Sequence, residues 1–270
     1  MKISSELFKG RSFLFLSFFV YLGLVLSLFP DTVWMGTTFG KRDILRYYFP
    51  IWHASVQMVK EGILPLWNPY SNFGTPFLAN VQSCVFYPFT ILFYLTDYLW
   101  AFNFYILLHI VLAAFFLLIW MRECGASKEA SLLSGTAYGL SGYVLSTINL
   151  TISLCSLIYL PLVLVCLRRS FRERGLVWPA AGGMVLALQY LAGDPAVVFG
   201  TLVVVGAIWI TLNYLPQLVG FIKGIRPVIT PPPEDISRPG VNDTDLPLHL
   251  PDNFAISIFA SGVPGARVLT

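Results

Sequence analysis

The sequence predicts an all-α, polytopic transmembrane protein of about six spans, with a long first extracytoplasmic loop carrying interfacial helices and a disordered C-terminal tail. Three observations predict it. The 270 residues are 56% hydrophobic and only 11% charged, against about 25% charge in an ordinary soluble domain. Mean hydropathy is +0.72, too apolar for a water-soluble globule to cover itself with polar surface. Six stretches of bilayer length have no charged interior residue; about 20 apolar residues in a helix, which satisfies its own backbone groups, cross the hydrocarbon core.

The first stretch, 12–29, follows a basic start from Met1 to Arg11 and looks like a secretory signal. Its apolar run exceeds the usual ~7 to 15 residues of such a signal, and Pro30-Asp31-Thr32 offers no small-x-small cleavage site, so it reads as an uncleaved anchor. The others are 101–121, 131–148, 150–167, 176–192 and 195–215. Ser131, Ser134, Gly135, Gly139, Ser141 and Gly142 give the third a smooth face where a neighbouring backbone can approach closely. His109, inside the second, reads as a helix-to-helix hydrogen bonder, with a functional role left open because ionisable groups in membranes are often functional. The apolar run Cys84–Leu95 is short and contains Pro88, so it reads as re-entrant or interfacial. Cys84, Cys124, Cys155 and Cys166 lack ligand spacing and read as small buried hydrophobes, with no metal site or disulfide framework.

Charge orients these spans. If each crosses once from a cytoplasmic N-terminus, Lys2, Lys9, Arg11, Arg122, Lys128, Arg168, Arg169, Arg172, Arg174, Lys223 and Arg226 lie inside, and Lys41, Arg42, Arg46 and Lys60 lie in one long outer loop. That satisfies the positive-inside rule and gives a multi-pass membrane protein with a cytoplasmic N-terminus and membrane lipid as its surroundings. A net charge of +3, with no aromatic-laced basic groove, argues against nucleic acid as a partner.

The outer loop, roughly 30–99, is polar and aromatic, and a loop that long is usually functional. Residues 41–61 have a helical look, opened by Thr37-Thr38 and interrupted at Pro50, with Trp52, Val56 and Val59 at helical spacing. Asp43 is the candidate catalytic residue: a surface carboxylate can take a proton from a hydroxyl or orient a cation near a phosphate, and Arg46 one turn on can hold that phosphate. Spacing alone favours a solvated i,i+3 pair for these two, and His53 reads as an interface residue rather than a base. The run Leu64-Pro65-Leu66-Trp67-Asn68-Pro69-Tyr70, then Gly74 to Gln82 and Phe86-Tyr87-Pro88, shows neither helix nor sheet period; prolines and glycines fix an irregular path.

Asp43 with Tyr48-Phe49-Pro50, Glu61-Gly62, the Leu-Pro-Leu-Trp-Asn-Pro-Tyr run, Gly74-x-Pro76-Phe77, Gln82 and Phe86-Tyr87-Pro88 together resemble the YfhO-type family of bacterial membrane proteins, over about residues 10–215. That family looks like the GT-C class of glycosyltransferases. The resemblance implies sugar transfer from a polyprenyl-phosphate donor to an extracytoplasmic acceptor, a cell-envelope polymer or glycolipid. It implies that Asp43 is the essential acid of the first outer loop, and that Arg46, Tyr47, Trp67, Asn68, Tyr70 and Gln82 bind or shape substrate. Gly193-Asp194-Pro195 stands where the family often has Gly-His-Pro-Gln, which makes Asp194 a further substrate-binding candidate despite the departure. No cofactor is implied, with a divalent cation left open, and the chain corresponds to the front part of a family member.

Residues 1–222 thus form the transmembrane part, 223–250 a proline-rich linker, and 251–270 a separate fragment. The fragment alternates like a strand and is similar to the opening of sorbosone dehydrogenase-type sugar dehydrogenases, β-propellers that use pyrroloquinoline quinone (PQQ). PQQ would be a cofactor only with a propeller that these residues do not supply. Two alternative functions follow: a membrane anchor for a periplasmic PQQ-dependent sugar dehydrogenase, or a non-catalytic membrane scaffold.

Overall fold

The structure is a computed structural model that describes residues 10–34, 36–71, 73–173 and 175–225. The linker from residue 226 and the fragment 251–270 lie outside the described residues. The described chain is mostly helical, with almost no strand. It forms two units divided after Ile208.

Helix α1, Arg11–Leu28, buries only Ser17, Tyr21 and Val25, a single stripe at spacing four. Its other faces carry exposed Phe15, Leu16, Phe19 and Val20. An apolar helix with one packed stripe and bare apolar flanks suits lipid rather than water. A short turn, α2 (Pro30–Trp34), follows. Then a π-helical turn, Ile44–Tyr48, runs directly into α3, Phe49–Lys60. The helical run continues through Pro50, which the sequence suggested as an interruption; it stands in the first turn of α3, where π geometry gives way to α and its missing N–H leaves one bond out of the ladder. Ile51, Trp52, Ser55 and Val56 form the buried face of α3, while Val59 is exposed.

The irregular outer segment contains one regular piece that periodicity did not reveal. β1 (Trp67–Asn68) pairs antiparallel with β2 (Thr75–Pro76), Trp67 opposite Pro76. Phe73 and Gly74 take positive φ, 61° and 106°, which returns the chain. A side chain on Gly74 would meet the Trp67 indole at 2.5 Å, so only glycine fits beneath that ring. The apolar run after Cys84 does not form a span: it makes a 3-10 turn, Pro88–Ile91, and a single helical turn, α4 (Leu92–Leu95).

Helix α5, Tyr98–Glu123, is the central post. Asp97 caps it by accepting hydrogen bonds from the Leu99 and Trp100 amides. Its 26 residues extend about 39 Å, longer than the roughly 30 Å hydrocarbon core. Helix α6, Lys128–Gly139, lies against it through Ser131, Gly135 and Gly139. A Cβ on Gly135 would come within 2.6 Å of the Ala114 carbonyl oxygen, and one on Gly139 within 2.7 Å of the Ala114 Cβ. Gly142, by contrast, faces open space.

The predicted span 131–148 is therefore not one helix. Ser141 Oγ accepts from the Val144 amide and caps a new short helix, α7 (Gly142–Ser146), followed by a 3-10 turn, Thr147–Asn149. A serine that bonds nearby backbone competes with the helix ladder, and two flanking glycines lower the cost of breaking it. Helices α8 (Thr151–Leu157) and α9 (Leu160–Arg172) make one apolar rod with a joint before Pro161. Helix α10, Val177–Leu191, has 15 residues, about 22 Å and short of a full crossing. Helix α11 is Pro195–Ile225; within the second unit the Trp209 and Tyr214 rings meet edge-on at 6.0 Å. Among the described residues four helices are long and apolar enough to cross a membrane: Arg11–Leu28, Tyr98–Glu123, Thr151–Arg172 and Pro195–Leu212.

Contacts in the first unit sort the helix ends. The Lys128 ammonium lies 5.6 Å above the Phe13 ring, Arg169 pairs with Glu123, and Trp178 stacks 4.4 Å from the Arg169 guanidinium. The starts of α1, α6 and α10 and the finishes of α5 and α9 thus share one end. The finish of α1, the loop at residues 37–41 and the turn at 145–149 meet at another, around a common cleft.

Candidate functional site

The site is built from the first loop upward. Asn103, near the start of α5, clamps the loop with both ends of its amide: Nδ2 donates to the Thr37 carbonyl at 2.9 Å and Oδ1 accepts from the Phe39 amide at 3.3 Å. The clamped segment walls a cleft of about 580 Å³ lined by Asp31, Thr38, Lys41, Ile44, Ile148 and Asn149 among others. Its lining mixes apolar side chains from the finish of α1 and the 145–149 turn with hydroxyls, an amide, a carboxylate and an ammonium. Arg42 then takes φ of +51°, a conformation that costs a non-glycine residue about 1 kcal/mol or more and tends to mark functional loops.

That turn delivers Asp43 to the N-terminal position of the π-helical turn, exposed, and its carboxylate makes no hydrogen bond or ion pair among the described residues. Arg46 is exposed on the same turn. Tyr48, one turn on, is buried. Burial first, then the charges of Asp43 and Asp194 together with Tyr47 and Cys84, push its hydroxyl up to about 12. Two carboxylates far apart in sequence therefore bear on one phenol.

The path from Asp43 to Asp194 runs through residues 80–84. Asn80 Oδ1 accepts from the Gln82 amide, and its Nδ2 donates to the Tyr47 hydroxyl at 3.2 Å. The Gln82 carbonyl accepts from Trp52 Nε1 at 2.9 Å, so Gln82 is anchored through its backbone. Cys84, at φ +54°, sends its thiol to the Ala192 carbonyl at 3.4 Å. Gly193 follows at φ +105°, and a Cβ there would meet Cys84 Sγ at 2.8 Å and Ile152 Cγ2 at 2.9 Å. Asp194 comes next. Its Oδ1 accepts from the Ala196 amide at 3.0 Å and caps α11, its Oδ2 accepts from the Ser153 hydroxyl, and its amide donates to Ser156 Oγ at 3.2 Å.

The remaining sequence candidates stay local. Asn68 is buried and uses both ends of its amide within the hairpin, accepting from the Tyr70 amide and donating to Ser71 Oγ. Trp67 covers Gly74, and Tyr70 is an exposed side chain at the hairpin tip. The structure ties the turn that carries Asp43 and Tyr47 to the segment that holds Gln82, and through Cys84 to the turn before Asp194; the contacts of Trp67, Asn68 and Tyr70 lie within their own turn. Sequence reasoning missed Tyr48 and Asn80 as members of the site, although both stood inside quoted motifs, and it missed the cleft residues Asp31, Lys41 and Asn149.

His109 differs from its expected role. Its Nδ1 faces the Tyr105 carbonyl at 2.7 Å and must donate, which leaves Nε2 to accept from the Tyr87 hydroxyl at 2.8 Å. Tyr87 in turn accepts from Tyr159 at 3.0 Å. The histidine thus holds the loop, and reaches the α8–α9 joint only through Tyr87. Among the described residues the four cysteines are free and no three His, Cys, Asp or Glu side chains gather as a metal site.

Compared with known proteins, the chain matches no family model, no curated protein and no solved structure.

Proposed function

We propose that this chain is the site-bearing part of a GT-C-like membrane glycosyltransferase that moves a sugar from a polyprenyl-phosphate donor to a hydroxyl of an extracytoplasmic cell-envelope glycolipid or polymer. The observation that carries the reading is the unpartnered Asp43 carboxylate, set by the strained Arg42 beside a half-apolar, half-polar cleft at the finish of an apolar helix. A lipid-linked sugar needs both characters: an oily wall for the carrier and hydrogen-bonding groups for the headgroup.

In the proposed step the acceptor oxygen attacks the anomeric carbon while Asp43 takes the hydroxyl proton. The bond between that carbon and the phosphate oxygen breaks, and the phosphate leaves with the electron pair, steadied by Lys41 and Arg46. Asp43 then returns the proton to water. Asp194, tied into the α11 cap, holds the turn against Cys84 and contributes field rather than proton transfer. In this reading the arginine-rich end faces the cytoplasm, the N-terminus is cytoplasmic, and the membrane is the bacterial inner membrane.

The test is Asp43→Asn in an extracytoplasmic glycosyl-transfer assay with membrane protein level matched. Loss of a general base is expected to lower transfer by about 10²- to 10⁴-fold. Unchanged transfer at equal protein level removes Asp43 as the base.

A further inference from the structure

The end of the helix bundle opposite Asp43 carries a second feature, independent of sugar transfer. Arg169 is fully engaged there: Nε and Nη2 donate to Glu123 Oε2 at 2.9 and 2.8 Å, and Trp178 covers its face. Glu173 is taken by the Trp178 indole N–H at 2.7 Å. Arg172 reaches only the far oxygen of Glu123, at 4.0 Å, with its side chain 45% exposed. Arg168 Nε is buried and has no hydrogen-bond partner among the described residues.

Arg168 and Arg172 stand one helical turn apart on α9, a spacing at which like charges repel. Among the described residues Glu123 and Glu173 are already committed, so the pair is left under-neutralised. Around it, Phe171, Leu176 and Val177 are exposed apolar side chains at 51%, 82% and 74%. A group that answers both features is an anion carried on an apolar body at the membrane surface.

We propose that Arg168 and Arg172 bind the phosphate of an anionic phospholipid headgroup, with Phe171, Leu176 and Val177 against its glycerol and upper acyl region. The phosphate bridges the two guanidiniums and relieves their repulsion. The committed ligand is a lipid, because a free anion would leave the three apolar side chains in water.

The test uses the full chain in a neutral detergent, titrated with short-chain phosphatidylglycerol, phosphatidylcholine or inorganic phosphate while thermal unfolding is followed. Phosphatidylglycerol is expected to raise the unfolding temperature, and the other two are not. Arg168→Gln/Arg172→Gln is expected to shift the phosphatidylglycerol midpoint about tenfold or more, whereas Lys60→Glu, an equal change of charge in the other loop, leaves it in place. Should the double variant fail to fold, Arg172→Gln alone keeps the Glu123–Arg169 pair and is expected to weaken the response several-fold. A wild-type response from the folded variants, an equal response to phosphatidylcholine, or a full response to inorganic phosphate each overturns the proposal.

Discussion

Gly193→Ala tests how the site is assembled. Gly193 sits at φ +105°, and a methyl there would lie 2.8 Å from Cys84 Sγ and 2.9 Å from Ile152 Cγ2. Two effects add. The backbone conformation alone costs an L-residue about 1–2 kcal/mol, and crowding in a packed site costs about 1–3 kcal/mol. The substitution is therefore expected to destabilise by about 2–5 kcal/mol, a large part of a typical 5–15 kcal/mol stability. The two effects separate in a double-mutant cycle with Cys84→Ala, which removes the sulfur but neither the φ strain nor Ile152. The pair is expected to be less destabilising than the sum of the singles by about 1 kcal/mol or more, the mark of direct contact. The assay is reversible denaturant unfolding in micelles, followed by tryptophan fluorescence. A Gly193→Ala cost below about 0.5 kcal/mol, or strict additivity with Cys84→Ala, refutes the packing of the 80–84 segment on the Gly193 turn.

Other outcomes follow from the same geometry. Glu123→Gln leaves the buried Arg169 guanidinium without its counter-charge and is expected to cost about 3–5 kcal/mol in the same unfolding assay; Glu173→Gln, at the exposed end of its contact, is expected to cost under about 1 kcal/mol. Gly135→Ala places a methyl 2.6 Å from the Ala114 carbonyl oxygen, and a destabilisation of about 1–3 kcal/mol is expected, with α6 pushed off α5. Tyr48, raised from 10.0 to about 12, binds its proton more tightly folded than unfolded. Its contribution is whole below pH 10 and is lost as pH rises through about 12. Tyr48→Phe is therefore expected to flatten the stability loss across that window, and an unchanged alkaline profile contradicts the burial of Tyr48 beside Asp43 and Asp194.

The helices whose length and uniform apolarity leave no alternative, α1, α5 and the first part of α11, were legible in the sequence. Hydropathy averages over glycine and serine, so it joined α6 and α7 into one span; the break depends on a single Ser141 hydroxyl meeting a single amide. Pro50 read as an interruption because its rule concerns helix interiors, whereas here it stands where the π-helical turn gives way to α3. The two-residue ladder at Trp67 was too short for any period to register. Asp43 was legible as a polar residue in a helical loop, and motif resemblance drew attention to it. Its link to Asp194 was not, because that link passes through a thiol bonded to a carbonyl at a sequence distance of 108 residues. Tyr48 has no polar neighbour in sequence that betrays its burial.

The proposed sugar transfer requires that the two ends of the helix bundle face opposite compartments, the Asp43 loop outside and the arginine-rich end inside. The direct measurement is labelling of single cysteines placed at Thr38 and Arg172 with a membrane-impermeant thiol reagent, in intact cells and in opened membranes, on a background lacking Cys124. Thr38→Cys is expected to react in intact cells and Arg172→Cys only after the membrane is opened. Reaction of both, or of neither, in intact cells contradicts the topology and the sugar-transfer site built upon it.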